Sequence, residues 1–588
     1  MRDGPRREPI RRPRPGTNTP AEPEWFGAFQ SFSTTEDTRP SRPSRSGDVT
    51  GAQVEARGRY PQADGGRLTA VMHTAARHPL PWMPGPPTGH AHRARPWPRS
   101  YARGMRRRQM HMSDEAQAAL LSALQELRTE LKVPTVFPKR VLAAADEAAT
   151  KPQPPAEDRT DLPLFTIDPP TSQDLDQAMH LERRAGGGYR VYYAIADVAA
   201  FVEAGRPLDA EAHDRIETLY FPDLKVPLYP PVISEGPASL LPDRVVPALL
   251  WQHDLDAYGK LTASTVGRAK VRSRAKRHYR EVQQAIDAGT AEEPVALLRE
   301  IGRLREAIEA DRGGISVNLP DQEVSLDKDG TFRLGYVATL PVEGWNEQIS
   351  LMTGMAAAQI MLDSGTGILR TQKETSDPNV VQRVHDIATS LGIDWQAGLS
   401  YAQLVRTLDP NDHKHMAFLS EGTAMLLRGE YTVFRDHQLP VDKIHAAIAA
   451  PYAHCTAPLR RLVDRYAGEL CVAACAGGAP PDWVLEALYC LPCDMERGKG
   501  KVAERDAVDL AEAATLKNRV GEVFDVTIIN TERESGSPKE GTAHLAEPAV
   551  MGKITSGTPL KLGASVRAEL KRADPFFAGK QKVLFRAV

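Results

Sequence analysis

Cysteine is scarce, with five in 588 residues. That excludes a disulfide scaffold and points to a reducing compartment, so a cytoplasmic protein is expected. No run of about 18 apolar residues occurs, so neither a spanning helix nor a membrane partner is expected. Nor does a charged-then-apolar signal segment open the chain. An excess of one charge is missing too: 74 Lys and Arg against 76 Asp and Glu leave a formal net charge of −2. Bulk charge therefore does not mark a nucleic-acid binder, and any path for a polyanion has to be a local basic channel. A Walker P-loop and a dinucleotide fingerprint are both absent. The remaining composition, 41% hydrophobic and 26% charged, is that of an ordinary globular protein long enough for several domains.

What is present is unevenly spread. Residues 1–111 are rich in Pro, Arg, Gly and Ser, as in RRPRPG and RPSRPSRSG, and are expected to be disordered. Three readings of them compete: a basic arm, favoured by MRRRQ at 105–109; an organellar transit peptide, disfavoured by its acids; or an upstream extension of the reading frame. The third is preferred, with Met105, Met110 or Met112 as the true first residue. Folded chain is expected from Ser113, which caps an amphipathic helix with acids in its first turn. FPKRVLAAADEAAT supplies a second helix, and the pair, 112–155, reads either as a helix-turn-helix-like unit or as a hairpin packed on the next domain. PQPPAED at 152–158 is a linker, and a catalytic region is expected over 156–518.

That region is organised around LFTIDPPTSQDLDQAMHL, 164–181. LFTI is a buried strand, and Pro169-Pro170 turns the chain. If DLDQAMHL is extended, Asp174 and Asp176 share a face and Asp168 folds back beside them. Three converging carboxylates raise each other's pKa, and a hard divalent cation, Mg²⁺ or Mn²⁺, removes that penalty. Such an ion can activate water and stabilise the leaving oxygen of a phosphodiester. The bland alternative is a solvated acidic turn.

Other stretches carry polar chemistry. VGRAKVRSRAKRHYREV, 266–282, places Arg268, Lys270, Arg272 and Arg274 on one strand face, either a solvated surface or a phosphate track. WNEQISLMTGMAAAQIML, 345–362, is an apolar-striped helix with Glu347 at its start. In PYAHCTAPLRRLVDRY, 451–466, Pro458 suits a first helical turn capped by Thr456. Arg461 and Arg465 are expected to make salt bridges along that helix, for example to Asp464 or Glu469. Four cysteines, Cys471, Cys475, Cys490 and Cys493, have zinc-like spacing, but the first pair sits in an apolar helix where Cys usually packs. Asp412-His413-Lys414-His415 reads as a polar loop. Residues 519–588 alternate strands with Gly-rich or polar turns, as a small β-barrel does.

The 164–181 stretch resembles the signature of the RNase II (RNB) family of 3′→5′ exoribonucleases, an Asp followed after five residues by D-x-D-D. Asp168, Asp174 and Asp176 match the first three acids as metal ligands, while Gln177 replaces the fourth at the edge of the metal site. The 451–466 stretch resembles the family's Y-x-H-x-T-S-P-I-R-R-Y-x-D, with Ala457 for Ser and Leu462 for Tyr. The resemblance implies an α/β (α+β) fold: a central sheet surrounded by helices, a C-terminal S1-type OB barrel, and a short helical element in place of the family's two cold-shock barrels. It implies hydrolysis of RNA from the 3′ end to nucleoside 5′-monophosphates. Asp176, Arg460 and Glu504 would be catalytic, Arg460 on the scissile phosphate and Glu504 beside the reacting nucleotide. Tyr220 would stack on the terminal base, and Glu347, Arg272, Arg274, Tyr452, His454 and Lys571 would contact RNA. On the barrel, Lys561, Arg567 and Arg572 would touch the backbone, with Phe576 and Phe577 stacking or closing the core. The expected partner is single-stranded RNA, or structured RNA with a 3′ overhang, bound by a monomer. Gln177 favours a second reading, an RNA-binding protein on a decayed nuclease scaffold.

Overall fold

The computed structural model describes residues 112–588 apart from 152–154, 316–320, 327–331, 338, 410–411, 532–537 and 580. The segment expected to be disordered, 1–111, and the first half of the expected linker lie outside the described residues.

The two leading helices form as their patterns predict, over Asp114–Glu130 and Lys139–Thr150. Ser113 Oγ accepts from the Ala116 N–H at 3.3 Å and caps the first. Their apolar faces enter different cores. Leu120, Leu124 and Leu127 pack with Leu219, Phe221, Ala503, Ala507 and Leu510. Val141 and Ala145 join the large central core instead.

The catalytic region is built on strands β1 (Leu164–Ile167), β2 (Gln177–Arg183) and β3 (Tyr189–Ala196), the hairpin β4 (Leu219–Tyr220) and β5 (Lys225–Val226), and the long strands β6 (Val245–Leu255) and β7 (Leu261–Arg277). The expected central sheet closes on itself, as the barrel β1-β2-β3-β6-β7. β1 pairs antiparallel with β2, Phe165 opposite Met179, and parallel with β7, and the β1–β7 pairing completes the ring. Both faces of β3 are buried, which is why YRVYYAIA reads as a nearly continuous apolar run. One set of alternating residues, Ala178, Ala194, Ala248, Ala269 and Val271, forms a core of its own, small enough for the interior of a five-stranded barrel. The opposite set, Met179, Val191, Tyr193, Ile195 and Trp251, packs outward on the helices. Chief among these is Pro341–Ser364, whose Ile349, Met352, Ala356 and Met361 are buried.

Beyond the two-stranded sheets β8 (Asp321–Leu326) with β9 (Phe332–Val337), and β10 (Gly367–Thr371) with β11 (Glu430–Phe434), come the helices Leu462–Cys475 and Gly500–Leu516. The chain ends in a second closed barrel, β12 (Val523–Thr531), β13 (Glu540–Leu545), β14 (Val550–Thr555), β15 (Ser565–Ala573) and β16 (Val583–Ala587), in the order β12-β13-β14-β16-β15. This is the barrel that the strand spacing predicts.

Several local expectations need correction. The turn before Leu462 is not helical, and Thr456 caps nothing, because Pro458, Leu459 and Arg460 form a tight turn and the helix begins afterwards. Arg461 does pair with Asp464, through bonds of 2.9 and 2.8 Å, but Arg465 reaches Asp209 at 2.5 Å, and Glu469 is taken by Arg268. Asp412 precedes a helix, His413–Gly422, and its Oδ1 accepts from the Lys414 N–H at 2.8 Å, so the expected polar loop is a helix start. A short 3₁₀ turn follows β3, and the Asp197 carboxylate accepts from Arg268 Nε at 2.8 Å.

Glu512 fastens the Gly500–Leu516 helix to its neighbours. Its Oε1 accepts from Gln322 Nε2 at 2.6 Å and from the Met551 N–H at 2.7 Å, joining helix, β8 and β14. Burial pushes this carboxyl up to about 8. A raised carboxyl pKa means that the folded state holds the proton more tightly than the unfolded chain. Stability from this group is therefore full below about pH 4.5 and is lost as pH rises towards about 8. Glu512→Gln should flatten that part of the stability–pH curve, measured by urea unfolding between pH 5 and about 8.5; an unchanged slope would refute the assignment.

Candidate active site

Asp168 follows β1 directly, its N–H donating to the Arg277 carbonyl at 3.0 Å. The turn after it is held from outside by Lys276, whose Nζ donates to the carbonyls of Pro170 at 2.8 Å and Ser172 at 2.5 Å. Ser239 pins the next residues, accepting from the Leu175 N–H at 2.9 Å and donating to the Gln173 carbonyl at 2.6 Å. Leu175 is fully buried, so Asp174 and Asp176 flank it and turn to the other side, as the alternation predicts. Regular strand structure begins only at Gln177.

Asp174 acts on both Asp168 and Asp176 and raises the proton affinity of each. Among the described residues no group of three or more His, Cys, Asp or Glu is placed to hold a metal ion. Asp174 and Asp176 have counter-groups that offset part of the cost of crowding like charges. Asp174 pairs with Lys225 at 3.0 Å, and Lys225 in turn meets Glu235 at 2.5 Å. Asp176 Oδ1 accepts from the Leu459 N–H at 2.7 Å, and its Oδ2 faces Arg460 Nε at 3.5 Å. Asp168 Oδ2 is buried with no hydrogen-bond partner. Burial pushes the Asp168 carboxyl up to about 6 and that of Asp176 to about 8, against the pull of Arg460. Hard carboxylate donors that are desolvated, one with an orphaned oxygen, suit a hard divalent cation in kind.

Arg460 stands at the end of the 458–460 turn with its side chain 44% exposed. Its carbonyl accepts from the Thr218 N–H at 3.0 Å, which ties this turn to the strand carrying Tyr220. Tyr220 and Glu504 line one cavity with Pro222, Val324 and Ala507, so Tyr220 is not a core residue. Burial, with Glu217 nearby, raises the Glu504 carboxyl to about 7. Glu217 also accepts from the Gly500 N–H at 2.7 Å, at the start of the helix that bears Glu504.

Gln177 is engaged by the protein on both sides. Its Nε2 donates to the Thr456 carbonyl at 2.6 Å, and its Oε1 accepts from the Tyr193 hydroxyl at 2.9 Å. It braces the acid turn against the arginine turn, a role that needs an amide rather than an acid.

The remaining candidates are dispersed. Tyr452 is buried at 8% exposure, its ring so close to Gly354 that a Cβ there would lie 2.2 Å from Cε2. His454 bonds the Tyr431 hydroxyl at 2.8 Å, and burial together with Arg461 and Arg370 holds its imidazole well below the usual value. Glu347 is exposed in the second turn of its helix; the acid in the first turn is Glu343, because the helix starts at Pro341. Arg268, Lys270, Arg272 and Arg274 do alternate with buried residues along β7. Three of them have protein partners: Arg268 on Asp197 and Glu469, Lys270 on Asp158 at 3.2 Å, and Arg274 on the Thr160 carbonyl at 2.6 Å. The Arg272 Nε is buried without one. Lys571 is exposed and pairs with Glu569 at 2.6 Å. Lys561 and Arg567 are exposed, Phe576 is 45% exposed, and Phe577 is covered by the Arg572 guanidinium at 3.6 Å. Lys225, Lys276 and Glu217 were missed, because nothing in their local sequence sets them apart from surface charges.

The architecture is thus a β-barrel with an acidic turn at the end of its first strand, joined to an arginine turn 283 residues on, and a second five-stranded barrel at the end of the chain. The sequence matches the RNB domain over residues 156–475 and the RNase II-type exonuclease C-terminal S1 domain over 522–588, and the chain belongs to the RNB family. It is 25% identical to ribonuclease R of Escherichia coli over 433 residues, 68% of this chain and 52% of that protein. It is 27% identical to exoribonuclease 2 of Photorhabdus laumondii over 398 residues, 63% and 59% of the two chains. The chain thus spans about half the length of the curated relatives it matches. The fold is similar to Mycoplasma genitalium RNase R in complex with ribose methylated single-stranded RNA, with a TM-score of 0.69 at 17% identity, covering 80% of this chain and 78% of that one.

The engagement of Gln177 predicts that restoring the family acid is costly. Gln177→Asp puts a carboxylate against the Thr456 carbonyl and should destabilise the protein by about 1–3 kcal/mol in denaturant unfolding. A variant as stable as the wild type would show that the brace contributes nothing.

Proposed function

We propose that the chain is a divalent-metal-dependent exoribonuclease that shortens RNA from its 3′ end and releases nucleoside 5′-monophosphates. The observation that carries this reading is the buried acid turn held against Arg460, with the cavity of Tyr220 and Glu504 beside it. Exoribonucleases of the RNB family use divalent metal in general. Here Asp168, Asp174 and Asp176 would hold the ion, Mg²⁺ or Mn²⁺, which when bound supplies Lewis-acid polarisation of phosphate oxygens.

The chain's own groups do the rest. Arg460 turns one nitrogen to Asp176 and leaves the rest of its planar fork exposed for the scissile phosphate. Tyr220 offers the terminal base an aromatic face, a contact that is indifferent to base identity. Glu504, with a carboxyl near 7, both accepts and donates at neutral pH and suits a ribose hydroxyl, the group that separates RNA from DNA. Single-stranded RNA is the substrate, and a 3′ overhang would admit structured RNA. The second reading, RNA binding on a catalytically decayed scaffold, rests on Gln177 alone.

A 5′-labelled single-stranded RNA followed on a gel tests the reading. With Mg²⁺ the wild type should give a ladder shortening from the 3′ end, abolished by EDTA, and Asp176→Asn and Arg460→Lys should each slow it by about 10²-fold or more. Tight binding without shortening, at any Mg²⁺ or Mn²⁺ concentration, would establish the decayed scaffold instead. Tyr220→Ala should weaken binding of short oligonucleotides by about 1–3 kcal/mol in a titration, and an unchanged affinity would remove Tyr220 from the site.

A further inference from the structure

One group of cations has no part in the site described so far. Arg370 lies opposite Tyr431 in the two-stranded β10–β11 sheet, its guanidinium 4.6 Å from the centre of that ring. Its backbone N–H is fixed on the Tyr452 carbonyl at 2.8 Å. Arg428 stands just ahead of β11, and the next residue, Gly429, lies against the Arg370 guanidinium, where a Cβ would be 3.0 Å from Nη2. The 427–429 segment is fastened beside β10: the Leu427 N–H donates to the Lys373 carbonyl at 3.0 Å, and Gln372 Nε2 donates to the Leu427 carbonyl at 3.0 Å. Lys501 is three residues before Glu504 in the same helix, hence on neighbouring turns of one face.

These side chains act on one another. Burial comes first, and then Arg428 and Arg461 hold the Arg370 guanidinium below its usual value. After burial, Arg370 and Arg428 do the same to the Lys501 ammonium, with Glu217 and Glu504 opposing them. Among the described residues Arg461 has its carboxylate, Asp464, whereas no ion pair is formed by Arg370, Arg428 or Lys501. Arg428 and Lys501 are also exposed to incoming ligand. Like charges crowded without counter-ions are costly, and an anion delivered from outside removes the cost.

The geometry points to a second phosphate site, formed by Arg370, Arg428 and Lys501, next to the phosphate assigned to Arg460. The inference rests on the exoribonuclease reading for the source of the anion, which is either a phosphodiester of the RNA backbone or the 5′-phosphate of the released mononucleotide. Both offer the same oxygens to the same fork-shaped donors.

The test uses the full chain carrying Arg428→Gln and Lys501→Gln, two exposed positions where folding is not at stake. Binding of single-stranded RNA is titrated in EDTA at several salt concentrations. Inhibition of RNA shortening by adenosine 5′-monophosphate is measured with Mg²⁺. A backbone site predicts at least about tenfold weaker RNA binding and a salt slope shallower by about 0.7 per lost phosphate contact, with Arg428→Lys and Lys501→Arg retaining both. A product site predicts at least about tenfold weaker inhibition by the mononucleotide with RNA affinity unchanged. If the double variant matches the wild type in affinity, salt slope and inhibition, the site does not exist. A wild type that binds RNA without shortening it, paired with a variant that binds more weakly, would overturn the exoribonuclease reading and leave the phosphate site standing.

Discussion

The Asp176 carboxylate joins two turns that lie 283 residues apart in sequence at the Leu459 N–H. A bond of 2.7 Å to a backbone donor fixes position more strictly than one to a flexible side chain, because the donor cannot rotate away. Other backbone-directed contacts extend it. Thr218 donates to the Arg460 carbonyl, Glu217 bridges to Arg461 through its backbone, and the Glu217 carboxylate receives the first N–H of the helix bearing Glu504. Acid turn, arginine turn, Tyr220 strand and Glu504 helix thus form one circuit. That circuit fixes the distances between the groups proposed to read a base, a sugar and a phosphate.

The distribution of charge follows two opposite rules. Asp174 and Asp176 each meet a cation or a backbone N–H, and desolvation rather than mutual repulsion dominates the proton affinity of Asp168 and Asp176. Arg370, Arg428 and Lys501 around β10 and β11 are gathered without an ion pair among the described residues, with only the longer-range pull of Glu217 and Glu504 on Lys501. The near-neutral total charge of the chain conceals both arrangements, and of the four basic residues of β7 that look like a track in sequence, Arg268 and Lys270 are taken up by ion pairs and Arg274 by a carbonyl.

Much of the fold was legible in the sequence. The strand Leu164–Ile167, the Ser113 cap and the final barrel follow from periodicity and turn chemistry, which are local. Barrel closure was not legible, since the β1–β7 pairing joins residues more than 100 apart and no pattern encodes a ring. Asp176, Arg460, Tyr220 and Glu504 were singled out by motif, and the structure sets Asp176 against Arg460 and Tyr220 beside Glu504. Tyr452 was misjudged because a buried aromatic and a stacking aromatic look alike until the Gly354 contact is known. Thr456 resembles a cap in every local respect, yet the following turn delays the helix and its carbonyl serves Gln177 instead. Glu347 failed more simply, through a helix start misplaced by one turn.

The Gly500–Leu516 helix carries Lys501 and Glu504 near one end and Glu512 at the other, where Met551 of the terminal barrel is bound. Such a rod rises about 1.5 Å and turns about 100° per residue. Inserting or deleting one residue between Glu504 and Glu512 would therefore swing the barrel about a quarter-turn around the axis for a shift of little more than an ångström along it. The terminal barrel and the end of the helix that bears Glu504 are geared together by torsion: the spacing of Glu504 and Glu512 sets the angle of the barrel about the helix axis.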